Sequence, residues 1–504
     1  MRNRERINRR AFMRSFAAAA AAAGLAPALA RAQSPAAKRP NVIVIQPDQH
    51  RGTVMGCAGD SQAITPNLDR LAAEGARFAN CASTGPVCCP FRGTMQTGLY
   101  PHTHGVVKNG IPLAQRFTTF AEIFAQAGYA TGYIGKWHLD GGTPAKEGGP
   151  GLTEKSVGGF VPPERRRGWQ EWNGYEKSHE YFEVWKYNEQ GRKERVEGYD
   201  WEPTWQTDVC LDFFRRQRDE GKPGLYYLAY GPPHLPEQAP KKYLAMYPPE
   251  KFTLPPDVEA NLGDDLKQAL RKSMQSYYAQ VTAIDVEIGR LLDGLKDLGI
   301  DENTIILYTS DHGDYLGSHQ KSAAKLRGKG SPAAAAFRIP LIVRWPEQTP
   351  AGQVFEQLVS SVDLAPTLLD LAGLAVPEQM QGFSMAGWCR GEKGFERDAV
   401  YLGLGWNLPV PPVKKFDDPS KFDESDKSKW QIGSWWRAIW DGQYVYRPGK
   451  GGWLYNHHAD PHEMHNLIDS PDYAAVRDRL GQRMIEIAQE TGDPVLDELK
   501  AMLA

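Results

Sequence analysis

Four apolar runs, each ending in a polar or ionisable residue, constrain this chain more than any other feature. Asn41-Val42-Ile43-Val44-Ile45 runs into Asp48, and Tyr129 to Ile134 runs into Lys136. Leu225 to Tyr230 runs into His234, and Thr304 to Tyr308 runs into Asp311. Continuous rather than alternating hydrophobicity predicts strands buried on both faces, as in a parallel sheet covered by helices. The segments between them supply those helices. Thr65-Pro66-Asn67 predicts a capped start with proline at the first position and Gly75 as the stop. A second capped helix is predicted around Thr118 to Ala127, and a long amphipathic one from about Leu266 to Leu298. Ile339 to Trp345 reads as a further strand, and Asp363 to Thr367 as another helix start. The fold class is therefore α/β, with a largely parallel central sheet flanked by helices. In such sheets ligands bind beyond the carboxyl ends of the strands, which is where the four polar residues fall.

The character changes past Ala399. Tyr401, Trp435 to Val445 and Trp453 to Tyr455 read as antiparallel strands, and Ala474 to Glu490 has helical spacing. A smaller C-terminal α+β domain with an antiparallel sheet, residues 399–504, is expected beside a catalytic domain of residues 38–398. Gly141 to Thr207, rich in glycine, proline, charge and aromatics, reads as a long insertion over one face. Residues 1–32 read as a twin-arginine signal peptide: Arg9-Arg10-Ala11-Phe12-Met13, an alanine-rich run, then small residues at Ala30 and Ala32 ahead of Gln33. The run is too short and alanine-rich for a stable membrane span. Periplasmic or secreted localisation follows as the expectation. A net charge of −2 gives no footprint for nucleic acid. The six cysteines lack short metal-type spacing, and export leaves a disulfide among Cys57, Cys81, Cys210 and Cys389 open.

Cys88-Cys89-Pro90-Phe91-Arg92-Gly93-Thr94-Met95-Gln96-Thr97-Gly98 puts a thiol just ahead of a proline suited to a first helical turn. Free amides and partial positive charge there favour an anion and lower a thiol's pKa, which makes Cys88 a candidate nucleophile. Asp48, Gln49, Asp311 and His312 form a candidate metal cluster. Two carboxylates and an amide oxygen suit a hard cation such as Ca2+, and the imidazole leaves room for Mn2+. Arg92, Lys136, His138, His234 and Lys329 add positive or protonatable groups, a set that wants an anionic substrate.

The motif Cys88-x-Pro90-x-Arg92, with Thr97-Gly98 behind it, resembles the signature of the type I sulfatases. The likeness extends over nearly the whole mature chain: Asp48-Gln49, the Thr65 to Ala72 helix, Gly135-Lys136-Trp137-His138-Leu139, Pro233-His234-x-Pro236, Ser310 to Asp314 with Leu316 to His319, and Leu454-Tyr455 with Asp460 to Glu463 and Asn466-Leu467. The resemblance implies an alkaline-phosphatase-like fold and oxidation of Cys88 to formylglycine by a formylglycine-generating enzyme. A hydroxyl of the hydrated aldehyde would attack the sulfur of a sulfate ester, with one divalent metal at Asp48, Gln49, Asp311, His312 and residue 88. It further implies that Arg92 and Lys136 steady the formylglycine, that His138 is the base that regenerates the aldehyde, and that Lys329 and His234 hold the sulfate and protonate the leaving oxygen.

Phe91 departs from the family's usual serine or alanine, Gly93 and Gln96 are also unusual, and Lys321 to Arg327 reads as an insertion. Lys329 is preferred to Lys325 as the family lysine because Gly330-Ser331-Pro332 follows it. Asn109 is a candidate contact to substrate oxygens. Arg165, Arg166, Arg167, Trp169, His179 and Tyr181 in the insertion, and Trp435, Trp436 and Arg437 beyond it, are candidates for recognising a sulfated saccharide. The competing expectations are a phosphonate monoester or phosphodiester hydrolase of the same superfamily, and a non-catalytic exported glycan-binding relative in which Cys88 stays a thiol.

Overall fold

The computed structural model describes residues 39–141, 159–319, 326–405, 409–410, 431–432 and 435–504. The expected signal peptide, Lys325 and most of the expected insertion after His319 lie outside the described residues. The principal elements are β1 (Asn41–Ile45), α1 (Pro66–Ala73), β2 (Ala76–Ala82), α2 (Cys88–Thr97), α3 (Phe120–Gln126), β3 (Ala130–Lys136), β4 (Glu171–Tyr175), α4 (Glu202–Glu220), β5 (Gly224–Ala229), α5 (Asp264–Asp297), β6 (Thr304–Thr309), β7 (Leu341–Arg344), β8 (Gln353–Ser360) and α6 (Leu364–Leu371). The large sheet runs β8-β2-β7-β6-β1-β5-β3-β4, with Arg338–Ile339 pairing β2 as a ninth strand. β1 pairs in parallel with both β5 and β6, and β3 with β5 and β4. β7 runs antiparallel between β6 and β2, and Arg338–Ile339 also pairs β2 antiparallel.

The apolar runs are continuous because the sheet separates two cores. Val42, Val44, Ile305, Leu307, Leu225 and Tyr227 enter one core, and Ile43, Ile45, Ile306, Tyr308, Tyr226 and Leu228 the other. This is the two-residue alternation of a pleated strand with both faces apolar. α5 covers the second core with Ile284, Ile288, Leu291, Leu292 and Leu295, a stripe at helical spacing, and α4 adds Cys210, Phe213 and Phe214. α2, α3 and α6 cover the first core.

Two expectations need correcting, and one open question closes. Thr65 does not cap α1 with its side chain; its Oγ1 accepts from Gly56 N instead. The orphan amides of Asn67 and Leu68 donate to Asp285 Oδ1 of α5 at 3.0 and 2.7 Å, so the cap is supplied across the fold. Part of the stretch expected to be an irregular insertion is regular: β4 extends the main sheet, and α4 begins at Glu202. All six cysteines are free thiols, so the structure holds none of the disulfides that export left open.

β9 (Val400–Leu404), β10 (Trp436–Trp440), β11 (Tyr444–Arg447) and β12 (Trp453–Asn456) form the expected antiparallel sheet in that order. Ile439, Tyr446 and Leu454 pack against Leu480, Met484, Ile487 and Ala488 of α7 (Ala474–Thr491). Residues 39–504 form one compact unit. Among the described residues no helix is long and apolar enough to cross a membrane.

Candidate active site

The carboxyl ends of β1, β3, β5 and β6 meet the N-terminus of α2. Val87 is the extended N-cap of that helix, and every residue from Cys88 to Thr97 is buried. Phe91, unusual for its position, is fully buried in the core beneath the sheet. Gly93 is small because a Cβ there would lie 2.6 Å from His104 Cε1, and His104 accepts from Val106 N at 3.1 Å. Both departures therefore serve packing on the far side of the helix. Gly98 closes α2 in the left-handed region at φ 66°, donating to Thr94 O.

Cys88 Sγ lies 3.3 Å from His312 Nε2 and 3.7 Å from both Asp48 Oδ1 and Lys136 Nζ. One ligand-grade atom from each of Asp48, Cys88, Asp311 and His312 falls within 4.8 Å of all the others, and all four residues are buried. His312 Nδ1 bonds to Gly313 O at 2.9 Å, which leaves Nε2 with a lone pair on the cluster side. Gln49 sits at φ 70°, a left-handed conformation uncommon for a residue with a side chain. Its N donates to Asp311 Oδ1, its carbonyl accepts from Tyr277, its Nε2 donates to Asp314, and its Oε1 accepts from Lys329 Nζ at 2.6 Å. Asp314 thus fixes which way the amide faces. Among the described residues, this donor set fits a hard divalent cation with one imidazole ligand.

Cations surround the carboxylates. Lys136 Nζ bonds Asp48 Oδ2 at 2.6 Å, and Arg92 Nη2 lies 3.3 Å from Asp48 and 3.2 Å from Asp311. Burial alone would raise Asp48, but Lys136, Lys329 and Arg92 hold it well below the usual carboxylate range. Asp311 is raised, by burial and by Asp48. Burial and Asp48 also push the Cys88 thiol up, yet Lys136, Lys329 and His312 outweigh them and bring it down to about 5. The position at the head of α2 is therefore one that prefers an anion.

The three histidines at the rim are held neutral. Burial, then Lys136 and Arg92, depress His138 well below its ordinary value; burial and Lys329 do the same to His234; burial and Lys136 bring His179 to about 4. His179 stacks on His234 with ring centroids 4.6 Å apart. His138 is at φ 58°, and its Nδ1 is buried without a partner, as is Nδ1 of His179. Asn109 is exposed, and its Oδ1 accepts from Cys89 N at 3.0 Å, capping α2 from outside the helix.

Arg166 is not brought to this cluster. Its Nε donates to Val161 O, and its guanidinium lies over Phe160 and Trp172. Arg165 pairs with Asp140, and Arg167 binds Glu122 and nearby carbonyls, so the expected arginine cluster is engaged by the protein itself. Arg437 is likewise tied to Asp493.

Sequence reasoning missed Arg327. It was placed at the end of an insertion, yet it is buried, with Nε 2.5 Å from Asp314 Oδ2, Nη2 donating to Pro233 O, and its guanidinium 4.5 Å from the Tyr277 ring centre. The signal available was Asp314 itself, an acid in a block otherwise bound for burial, which requires a cation.

A largely parallel sheet that gathers two carboxylates, an imidazole and a thiol at an anion-favouring helix start on its carboxyl edge fits an alkaline-phosphatase-like hydrolase. Within that class the chain belongs to the sulfatase family, whose model matches residues 40–374, and it is a sulfuric ester hydrolase. It is 30% identical over 466 residues to the ulvan-active sulfatase of Formosa agariphila, covering 90% of this chain and 82% of that one. It is 27% identical to the N-acetylglucosamine-6-O-sulfatase of Bacteroides thetaiotaomicron, over 94% of this chain and 90% of that one. The solved structure of a Bacteroides fragilis sulfatase, yidJ, superposes with a TM-score of 0.79 at 26% identity, covering 92% of this chain and 98% of that chain.

Proposed function

We propose that the protein hydrolyses sulfate esters on a saccharide, with residue 88 as nucleophile after oxidation of its thiol to formylglycine. The observation that carries this reading is the convergence of the Cys88 sulfur, two carboxylates and an imidazole nitrogen within 4.8 Å. Asp48, Gln49, Asp311 and His312 would hold one divalent cation, Ca2+ by preference of its oxygen donors. When present, the metal supplies Lewis acidity toward sulfate oxygens, and formylglycine supplies an aldehyde hydrate in place of a thiol.

The chain's own groups do the rest. Lys136 and Arg92 fix the two carboxylates and keep the nucleophile position electropositive. His138, neutral and with an unpartnered nitrogen, accepts a proton at the nucleophile. Lys329 grips a sulfate oxygen. His234, neutral with Nδ1 donating to Leu235 O, would face the leaving oxygen with Nε2 and must first take up a proton there before it can pass one on, whereas the Lys329 ammonium carries protons already. His179 extends that wall by stacking on His234, and Asn109 offers its amide beside the helix start. The sugar class is supported by the N-acetylglucosamine-6-O-sulfatase among its relatives. Export through the twin-arginine route and maturation by a formylglycine-generating enzyme belong to the same reading.

Mass spectrometry of the Cys88 peptide from protein made in its native host should find the aldehyde. An unmodified thiol there would favour the glycan-binding alternative. Aryl sulfate turnover is then compared with aryl phosphonate turnover, and a strong preference for phosphonate would overturn the sulfatase reading in favour of the phosphonate hydrolase.

A further inference from the structure

Beside Lys329, outside the cluster described above, lies a cleft of about 310 Å³ lined by Gly330, Ser331, Pro332, Trp436, Arg447, Gly451 and Trp453. Its floor is the backbone that follows Lys329 and packs near the head of α2. Gly330 follows Lys329, and a Cβ on Gly330 would lie 3.3 Å from Val87 Cγ2, the residue before Cys88. Its walls come from the antiparallel sheet. Trp436 Nε1 donates to Gly330 O at 3.2 Å, which fixes the indole against the catalytic side. Trp453 is held edge-on by His319, with centroids 4.9 Å apart, and by Tyr455 at 5.6 Å. Two immobilised indoles in an open cleft are stacking surfaces for a ring.

Arg447 supplies the charge. Its guanidinium makes only long bonds, 3.3 Å to Gly451 O and 3.4 Å to Lys450 O, and among the described residues no carboxylate pairs with it. Burial is the one influence that shifts it, downward from the ordinary arginine value, so no neighbouring acid holds it. A half-buried arginine with donors to spare, next to two indoles, matches a ring that carries an anionic group.

Resting on the sulfatase reading above, we propose that this cleft is a subsite for the sugar that adjoins the one bearing the scissile sulfate. Trp436 and Trp453 stack on the sugar ring, and Arg447 binds an anionic substituent, a carboxylate or a second sulfate. An aryl ring alone would leave Arg447 unused, so small aryl sulfates do not depend on the cleft.

The test compares full-length mature wild type with Arg447→Gln, Arg447→Lys and Trp453→Ala. Calorimetry uses a tetrasaccharide bearing glucuronate but no sulfate, and the same compound with its carboxyls reduced to alcohols. A neutral tetrasaccharide bearing several sulfate esters is titrated against the same variants built on Cys88→Ala. Arg447→Gln is expected to weaken an anionic probe about tenfold and leave the reduced probe within about twofold, with partial recovery in Arg447→Lys. Trp453→Ala is expected to weaken all probes that bind. A loss confined to the glucuronate probe identifies a carboxylate subsite, and one confined to the sulfated probe a sulfate subsite. Unchanged affinity for every probe in both Arg447→Gln and Trp453→Ala, or a wild type that binds none of them, overturns the subsite. Turnover of 4-nitrophenyl sulfate is measured alongside. Its absence in protein whose residue 88 is converted would overturn the sulfatase reading and leave the binding result standing.

Discussion

The catalytic edge of the large sheet and the C-terminal sheet bury similar charged groups and do opposite things with them. Among the described residues of the C-terminal region, the buried carboxylates Asp493 and Glu463 are saturated. Asp493 receives Arg437 at 2.5 and 3.0 Å and Tyr401 at 2.8 Å, and Glu463 receives His319, His457 and the Ala334 amide. At the catalytic edge four cations, Arg92, Lys136, Lys329 and Arg327, stand among three carboxylates, Asp48, Asp311 and Asp314. Closed networks of buried charge hold elements together. An open network with excess cation holds a place for an anion that the protein itself does not supply.

The largest effect expected from this contrast is at the open end. Cys88→Ala should reduce sulfate ester hydrolysis about 10⁴-fold or more, with thermal unfolding little changed, as read by aryl sulfate kinetics and calorimetry. At the closed end the outcome should invert. Arg437→Ala leaves Asp493 buried without its cation, with Tyr401 and the Val495 amide still donating to it, so stability should fall by roughly 3–5 kcal/mol in urea denaturation while kcat/KM of the folded protein stays within about threefold. Loss of activity without loss of stability in Arg437→Ala would break the comparison.

Glu463 sharpens it through pH. Burial raises this carboxyl, but hydrogen bonds from His319 and His457 bring it down to about 2. A pKa depressed on folding gives stability that is fully present above the unfolded value near 4.5 and is lost as pH falls toward 2. Glu463→Gln should therefore be destabilised by roughly 3 kcal/mol at pH 7, with the gap to wild type narrowing below about pH 4.5. A gap that stays constant from pH 7 to pH 3 would assign the effect to packing.

The smallest effect is at Arg327, which reaches the candidate metal ligands indirectly, through Asp314 and Gln49 and through Pro233, which bridges to Asp48. Arg327→Met should weaken Ca2+ binding about 10- to 100-fold in a metal titration followed by thermal shift, independent of turnover. Unchanged affinity would place Arg327 among the closed networks.

What the sequence disclosed follows from which residues act locally. β1, β5 and β6 were legible because burial on both faces leaves an unbroken apolar run; Asp48 and Asp311 were legible because they follow such strands, and Cys88 because Pro90 marks the helix it heads. β4 was not, since Glu171-Trp172-Asn173-Gly174-Tyr175 lies at the sheet edge and need not be apolar. The Asp285 cap on α1 and the Arg327–Asp314 pair join residues far apart in the chain, and no local pattern records such a pairing. The cleft beside Lys329 was half legible: Trp436 was singled out, but Arg437 next to it faces Asp493, and the arginine that lines the cleft is Arg447. Strand alternation alone separates those two neighbours, and it depends on a register that the sequence leaves open.

The complete burial of residues 88–97 has a consequence for how the protein is made. If residue 88 must be oxidised by another enzyme, that enzyme competes with folding for the same segment, because the finished helix offers it no extended backbone. Each molecule is then assigned to an active or an inert population once, during synthesis, and later exposure to the modifying enzyme cannot move it between them. The specific activity of a preparation would record the outcome of that race, and two batches with the same fold and the same melting behaviour would differ in activity by their histories alone.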